Sequence, residues 1–202
     1  MSPWVSSAPV PLHAEQRRRG RCVAFAILAF CAAPTVAAWL AYFVWQPHSR
    51  MNYGELIVPR LLSDPELRRL DRGSFRLSQL RGKWVLLQID SGACSAKCRK
   101  KLLYMRQARL AQGRDAERVE RVWLVDDSAI PDPALLRDHP GLIAARAPRG
   151  AFAAEFPAEG DRSDYIYVVD PRGNLMLRFP ADPDARKMLK DLERLLRVSR
   201  IG

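Results

Sequence analysis

The sequence predicts a mixed α/β domain behind a single apolar helix, and three observations carry that expectation. Residues 22–45 contain no charged side chain. Two short apolar runs, 83–90 and 119–125, flank a stretch with helical character. Further on, Asp170-Pro171-Arg172-Gly173 divides two more apolar runs with the residues of a type I turn.

The apolar helix comes first. As α-helix, residues 22–45 span roughly 36 Å, enough to cross a hydrocarbon core with some tilt. Trp39, Tyr42 and Trp45 gather toward one end, as interfacial aromatics do, and Pro34 lies mid-span. Arg17, Arg18, Arg19 and Arg21 precede the run, whereas 46–59 holds only Arg50. The positive-inside rule then leaves a cytoplasmic tail at 1–21, an anchor at 22–45 and the remaining chain outside. Val36-Ala37-Ala38 offers a small-residue cleavage site, but the apolar run continues past it to Trp45, which favours an uncleaved anchor. Cys22 and Cys31 read as small apolar filler within it. The expected location is a bacterial inner membrane, crossed once, with the C-terminal domain in the periplasm.

Residues 46–75 read as a linker or lead-in, extended in part, and 76–202 as the folded domain. Lys83–Asp90 is a buried-strand candidate after Arg81-Gly82. Cys98–Gln112 reads as helix stopped by Gly113, Val119–Val125 as a second strand, and Asp132–Asp138 as a short helix between Pro131 and Pro140. Asp164–Val169 and Asn174–Phe179 form a hairpin about the turn. The last element is an amphipathic helix, capped by Asp182 with Pro183 in its first position and Met188, Leu189, Leu192, Leu195 and Leu196 on one face. A βαβ unit implies parallel strands. With a hairpin and a terminal helix behind it, the order is that of a thioredoxin-like fold.

Composition narrows the function. With 48% apolar and 27% charged residues the chain is neither disordered nor collagen-like, and four cysteines are too few for a disulfide scaffold. The net charge of +11 comes from 33 Lys and Arg against 22 Asp and Glu. The excess is scattered, with no zinc-finger spacing, RNP-like motif or recognition helix, so no nucleic-acid partner is expected.

The chemistry is expected at Cys94 and Cys98, in Asp90-Ser91-Gly92-Ala93-Cys94-Ser95-Ala96-Lys97-Cys98, which joins the first strand to the first helix. Such junctions are where open α/β sheets build sites. A thiolate at the helix mouth is stabilised by the dipole and by Lys97, Arg99, Lys100 and Lys101. Three chemistries use such a pair: cycling between dithiol and disulfide, holding Cu(I), or forming a plain structural bridge. Cys94 is expected to be the more exposed, leading sulfur and Cys98 the resolving one. The basic cluster reads equally as a solvated helix face or as a docking surface for an acidic partner.

A Cys-x-x-x-Cys pair between strand and helix, a single N-terminal anchor and the lead-in Phe75-Arg76-Leu77-Ser78-Gln79-Leu80-Arg81-Gly82-Lys83-Trp84-Val85-Leu86-Leu87 together resemble the Sco/SenC family. The resemblance covers roughly 54–198. It implies a role in maturing the copper site of cytochrome c oxidase, by copper delivery or by reducing the cysteines that receive the metal. The implied partners are the membrane and the copper-bearing oxidase subunit; the implied cargo is Cu(I) on Cys94 and Cys98. The family pattern has prolines after both cysteines, where this chain has Ser95 and Arg99, and Arg162 stands where a histidine ligand belongs. A guanidinium does not ligate copper. Of the three histidines, His13 lies across the membrane, His48 follows the anchor, and His139 is expected in a solvent-facing loop. A non-catalytic docking module and a general extracytoplasmic reductase are the alternative readings.

Overall fold

In a computed structural model, residues 13–44, 52–147 and 150–199 are described. The chain divides into two compact units, Met1–Arg50 and Met51–Gly202. The first holds helix α1, His13–Val44, with Pro34 inside it. Its Arg18–Tyr42 portion is long and apolar enough to cross a membrane by length and composition. The helix thus starts before the charge-free run and takes in the arginines. Cys22 and Cys31 are free thiols on its exposed surface.

In the second unit the strands are β1 (Glu55–Leu61), β2 (Leu67–Arg69), β3 (Ser74–Phe75), β4 (Trp84–Asp90), β5 (Val119–Val125), β6 (Leu142–Arg146), β7 (Tyr165–Val169) and β8 (Asn174–Pro180). Among the described residues they form one sheet in the order β1-β8-β7-β4-β5-β6-β2-β3. The β4–β5 and β5–β6 pairs are parallel. The β7–β8 hairpin runs antiparallel beside β4, and its turn closes by the Gly173 amide donating to the Asp170 carbonyl at 2.9 Å, with Gly173 at φ +87°. Helices α2 (Ala96–Leu110), α3 (Pro133–Asp138), α4 (Ala151–Ala154) and α5 (Ala185–Val198) complete the fold.

Every residue of β4 is buried, because alternate side chains enter different cores. Val85, Leu87 and Ile89 join Phe156 and Tyr167 on one face. Trp84 and Leu86 meet Met105 of α2 and Met188, Leu192 and Leu196 of α5 on the other. Gln88 and Asp90 share the face of Trp84 and Leu86 by the two-residue period of a strand.

Four expectations are corrected by the geometry. The sheet begins before residue 76, since β1, β2 and β3 arise from 55–75 and pair with β8, β6 and β2. A strand at Leu142–Arg146 follows the Pro140-Gly141 corner and extends the parallel part of the sheet. The first domain helix runs Ala96–Leu110 on a Ser95 cap rather than Cys98–Gln112, so Cys98 falls inside its first turn. Helix α5 is capped by Asp184, whose carboxylate accepts from the Arg186 and Lys187 amides at 3.0 and 3.2 Å. Asp182 instead accepts from the Tyr104 hydroxyl at 2.8 Å and pairs with Lys100 at 2.7 Å.

Candidate functional site

Cys94 and Cys98 form a disulfide with their Cα atoms 5.1 Å apart. The bridge spans the start of α2, where the Ser95 hydroxyl accepts from the Cys98 amide at 3.4 Å. Cys94 adopts φ +42°, a left-handed conformation costly for any residue bearing a Cβ. Neither cysteine stands open to solvent: Cys94 is 3% exposed and Cys98 0%. Both lie in an apolar cluster with Leu102, Trp123, Val125, Leu135 and Ala144. Cys94 keeps the slightly greater exposure of the two, but both sulfurs belong to the packed interior rather than to an open surface.

The loop that delivers Cys94 is held from the end of β5. Asp127 accepts from the Ser91 hydroxyl at 2.6 Å and from the Gly92 and Ala129 amides at 2.9 and 3.1 Å. Those hydrogen bonds, Ser91 first, hold its carboxyl below the usual carboxylate range. Gly92 has no room for a side chain, since a Cβ there would sit 2.2 Å from the Ala129 carbonyl oxygen.

Beneath the bridge, the fully buried Gln88 directs its amide Nε2 to Cys98 Sγ at 3.5 Å. Its Oε1 has no protein partner. Lys101, three residues beyond Cys98 and on the same side of α2, has a side chain with no solvent exposure. Its ammonium pairs with Asp90 at 2.8 Å and donates to the Ser163 carbonyl at 2.7 Å. Burial lowers the Lys101 pKa, and Asp90 opposes that shift. Lys97 pairs with Asp164 on the same loop, a contact that raises the pKa of the lysine.

The 161–164 loop is where the resemblance places a histidine ligand. Arg162 donates from Nε to the Phe156 carbonyl at 3.2 Å, and the groups reaching this loop from the cysteine helix are two ammoniums. His139 is buried rather than solvent-facing, at 7% exposure. Burial and the nearby Arg121 push its pKa down, and its Nδ1 has no protein partner. His48 lies outside the described residues, and His13 begins α1. Among the described residues no three His, Cys, Asp or Glu side chains are placed to hold a metal ion. The donor set at the bridge is two sulfurs. It lacks the nitrogen that Cu(II) prefers, while two reduced thiolates would suit Cu(I).

Sequence reasoning found the cysteines, placed Lys101 only in a basic cluster without its burial against Asp90, and missed Gln88 and Asp127. Gln88 and Asp90 were visible as polar residues in an otherwise apolar strand. Lys101 falls on the helix face of Cys98, Leu102 and Met105, an unusual place for an ammonium. Nothing near Asp127 in the sequence signals its role.

A thioredoxin-like sheet with a disulfide between its first parallel strand and the following helix defines a class of thiol-bearing proteins. The chain belongs to the family described as "Transmembrane-like, thioredoxin-like, C-terminal domain", which matches residues 84–199. No curated protein sequence matches it. Among solved structures it resembles apo Sco1 from Thermus thermophilus, at 23% identity and a TM-score of 0.59, over 73% of this chain and 99% of that one. Copper-bound ScoI from Bradyrhizobium japonicum gives 18% identity and 0.53, over 67% and 99%. A thiol:disulfide interchange protein DsbE from Chlorobium tepidum gives 19% and 0.53, over 70% and 99%. At these identities the likeness is one of fold, and Sco proteins share it with thiol–disulfide proteins.

Proposed function

We propose that the protein is a single-pass, membrane-anchored thiol–disulfide exchanger whose Cys94–Cys98 pair works in the periplasm on the copper-binding cysteines of cytochrome c oxidase. The carrying observation is the bridge itself, closed between strand and helix over Gln88 and beside the buried Lys101. The oxidase as target rests on the likeness to Sco proteins. The arginines at the head of α1 and the apolar stretch behind them support the orientation.

In the reduced protein, the Cys94 thiolate attacks one sulfur of a partner disulfide, forming a mixed disulfide and releasing the partner's other sulfur as a thiolate. The Cys98 thiolate then attacks Cys94 Sγ, closing the bridge seen here and releasing the second partner thiolate. Two electrons pass to the partner, whose thiolates take up the protons the cysteines gave up. Cys94 leads because it lies in the loop ahead of α2 and retains 3% exposure, whereas Cys98, within the first turn of α2, is fully buried against Gln88. The reduced pair can also hold one Cu(I) as cargo between its sulfurs.

The test is redox titration of the full chain in detergent, with Cys22→Ser and Cys31→Ser so that only the bridge reports. Across glutathione buffers, maleimide should tag two thiols at the reducing end and none at the oxidising end. A pair that stays tagged under oxidant, or that is reduced only on unfolding, overturns the reading.

Gln88 should tune that titration. Its N–H is a far better partner for a Cys98 thiolate than for a disulfide sulfur, because hydrogen bonds to charged acceptors are the stronger ones. Gln88→Leu should disfavour the reduced form by about 1 kcal/mol, a midpoint about 20 mV more reducing. An unmoved midpoint would reduce Gln88 to packing.

A further inference from the structure

A groove of about 480 Å³ opens between the chain leaving β2 and the segment leading into α3. Resting on the reading above that the protein has a thiol partner, we propose that this groove docks an acidic, extended segment of that partner, with apolar side chains among its carboxylates.

Charge is the first reason. Four arginines line the groove: Arg68, Arg69, Arg72 and Arg146. Arg69 is paired with Asp71 at 2.6 Å. Arg68 and Arg72 make no ion pair among the described residues, and Arg72 is held at φ +73° in the turn after β2. Arg146 donates to the carbonyls of Asp127, Ser128 and Ala129, contacts that fix the guanidinium, and its charge also acts on the Asp127 carboxylate. Arg68 and Arg72 thus bring two positive charges without an ion pair to one cleft, beside Arg146, an arrangement complementary to carboxylates.

The walls are the second reason. Ile130 is 83% exposed at the rim, beside Pro131, with Leu70 and Leu136 in the lining. Leu70 and Leu136 also pack on the apolar cluster that contains Cys94 and Cys98. Arg146 closes the link from the other side, since the segment it grips carries Asp127, which holds Ser91 and Gly92. Groove and cysteine loop are therefore linked through shared side chains, and a chain seated in the groove bears on walls that also pack against the cysteine cluster. The concave, partly apolar lining favours a peptide over an anionic lipid surface.

The experiment uses the full chain in detergent and short fluorescein-labelled peptides sharing an apolar centre, one flanked by aspartates and one by lysines. Fluorescence anisotropy at low salt should show the aspartate peptide binding about tenfold tighter. The double variant Arg68→Glu/Arg72→Glu should abolish or invert the preference; both side chains are at the surface, so the fold survives. Ile130→Ser should weaken the aspartate peptide several-fold and leave the salt dependence in place. Equal binding of the two peptides, a preference that survives charge reversal, or anionic vesicles that bind while the aspartate peptide does not, would each overturn the proposal. Exchange of the unmodified protein with glutathione separates the failures. Exchange without peptide selectivity defeats the groove alone, and selectivity without exchange defeats the redox reading alone.

Discussion

Lys101→Met should cost the second unit about 3–5 kcal/mol, the usual price of breaking a buried ion pair by removing one partner. The ammonium pairs with Asp90 at 2.8 Å and has no exposure, and the Asp90 side chain is 9% exposed. Removing the lysine strands a carboxylate at the end of β4 and leaves the Ser163 carbonyl without its donor at 2.7 Å. Asp90→Asn in the same chain should recover most of the loss, because a neutral amide no longer needs the counter-charge. Urea unfolding of the single and double variants measures both. The single variant should also shift the redox midpoint toward the disulfide, since a nearby ammonium favours thiolates. A loss below about 1 kcal/mol, the range of an exposed pair, would show that the pair is hydrated rather than buried.

Copper should separate sharply by oxidation state. Once reduced, Cys94 and Cys98 should take at most one Cu(I), measurable against a competing Cu(I) chelator and lost in Cys94→Ser. Cu(II) should not be retained at about micromolar protein, because its preferred square-planar set of nitrogen and oxygen is missing. The loop facing the cysteine helix offers Arg162, which ligates nothing, and the ammoniums of Lys97 and Lys101 add positive charge there. Tight, stoichiometric Cu(II) binding would mean that another residue completes the site. His139 is the imidazole to replace first, and its burial makes even that a test of rearrangement.

The part of this architecture that sequence reasoning reached is the part with local signatures. β4 and β5 are apolar runs too long to be loops, the hairpin has its Asp-Pro-Arg-Gly turn, and the cysteines announce the strand–helix junction. β6 escaped because Leu-Ile-Ala-Ala-Arg is short and bounded by a Pro-Gly corner that equally ends a helix. β1 was read only as part of an extended lead-in because an edge strand needs no apolar alternation, and β2 and β3, three and two residues long, are too short to show any. At α5, Asp182 and Asp184 are both competent caps, and the choice depends on Lys100 and Tyr104 claiming the first. Lys101 shows the deeper limit. A lysine in a basic run reads as solvated surface until Asp90, eleven residues earlier, is seen beneath it. His139 was misread for the same reason: the chain that surrounds it, Arg121 of β5 and Arg106 of α2 included, is distant in sequence.

The two open borders of the sheet have a consequence for how such molecules behave in a crowd. β3 is only Ser74–Phe75. β1 carries Pro59, which has no N–H to offer, and its register with β8 shifts between Leu56 and Arg60. Leu56, Val58 and Leu61 are exposed on that same strand, a composition that would invite runaway stacking if the backbone were free to pair. One border is too short and the other is interrupted, so neither templates a further strand. Many copies can therefore share a small volume without polymerising through their sheets, and contacts between them are left to side chains.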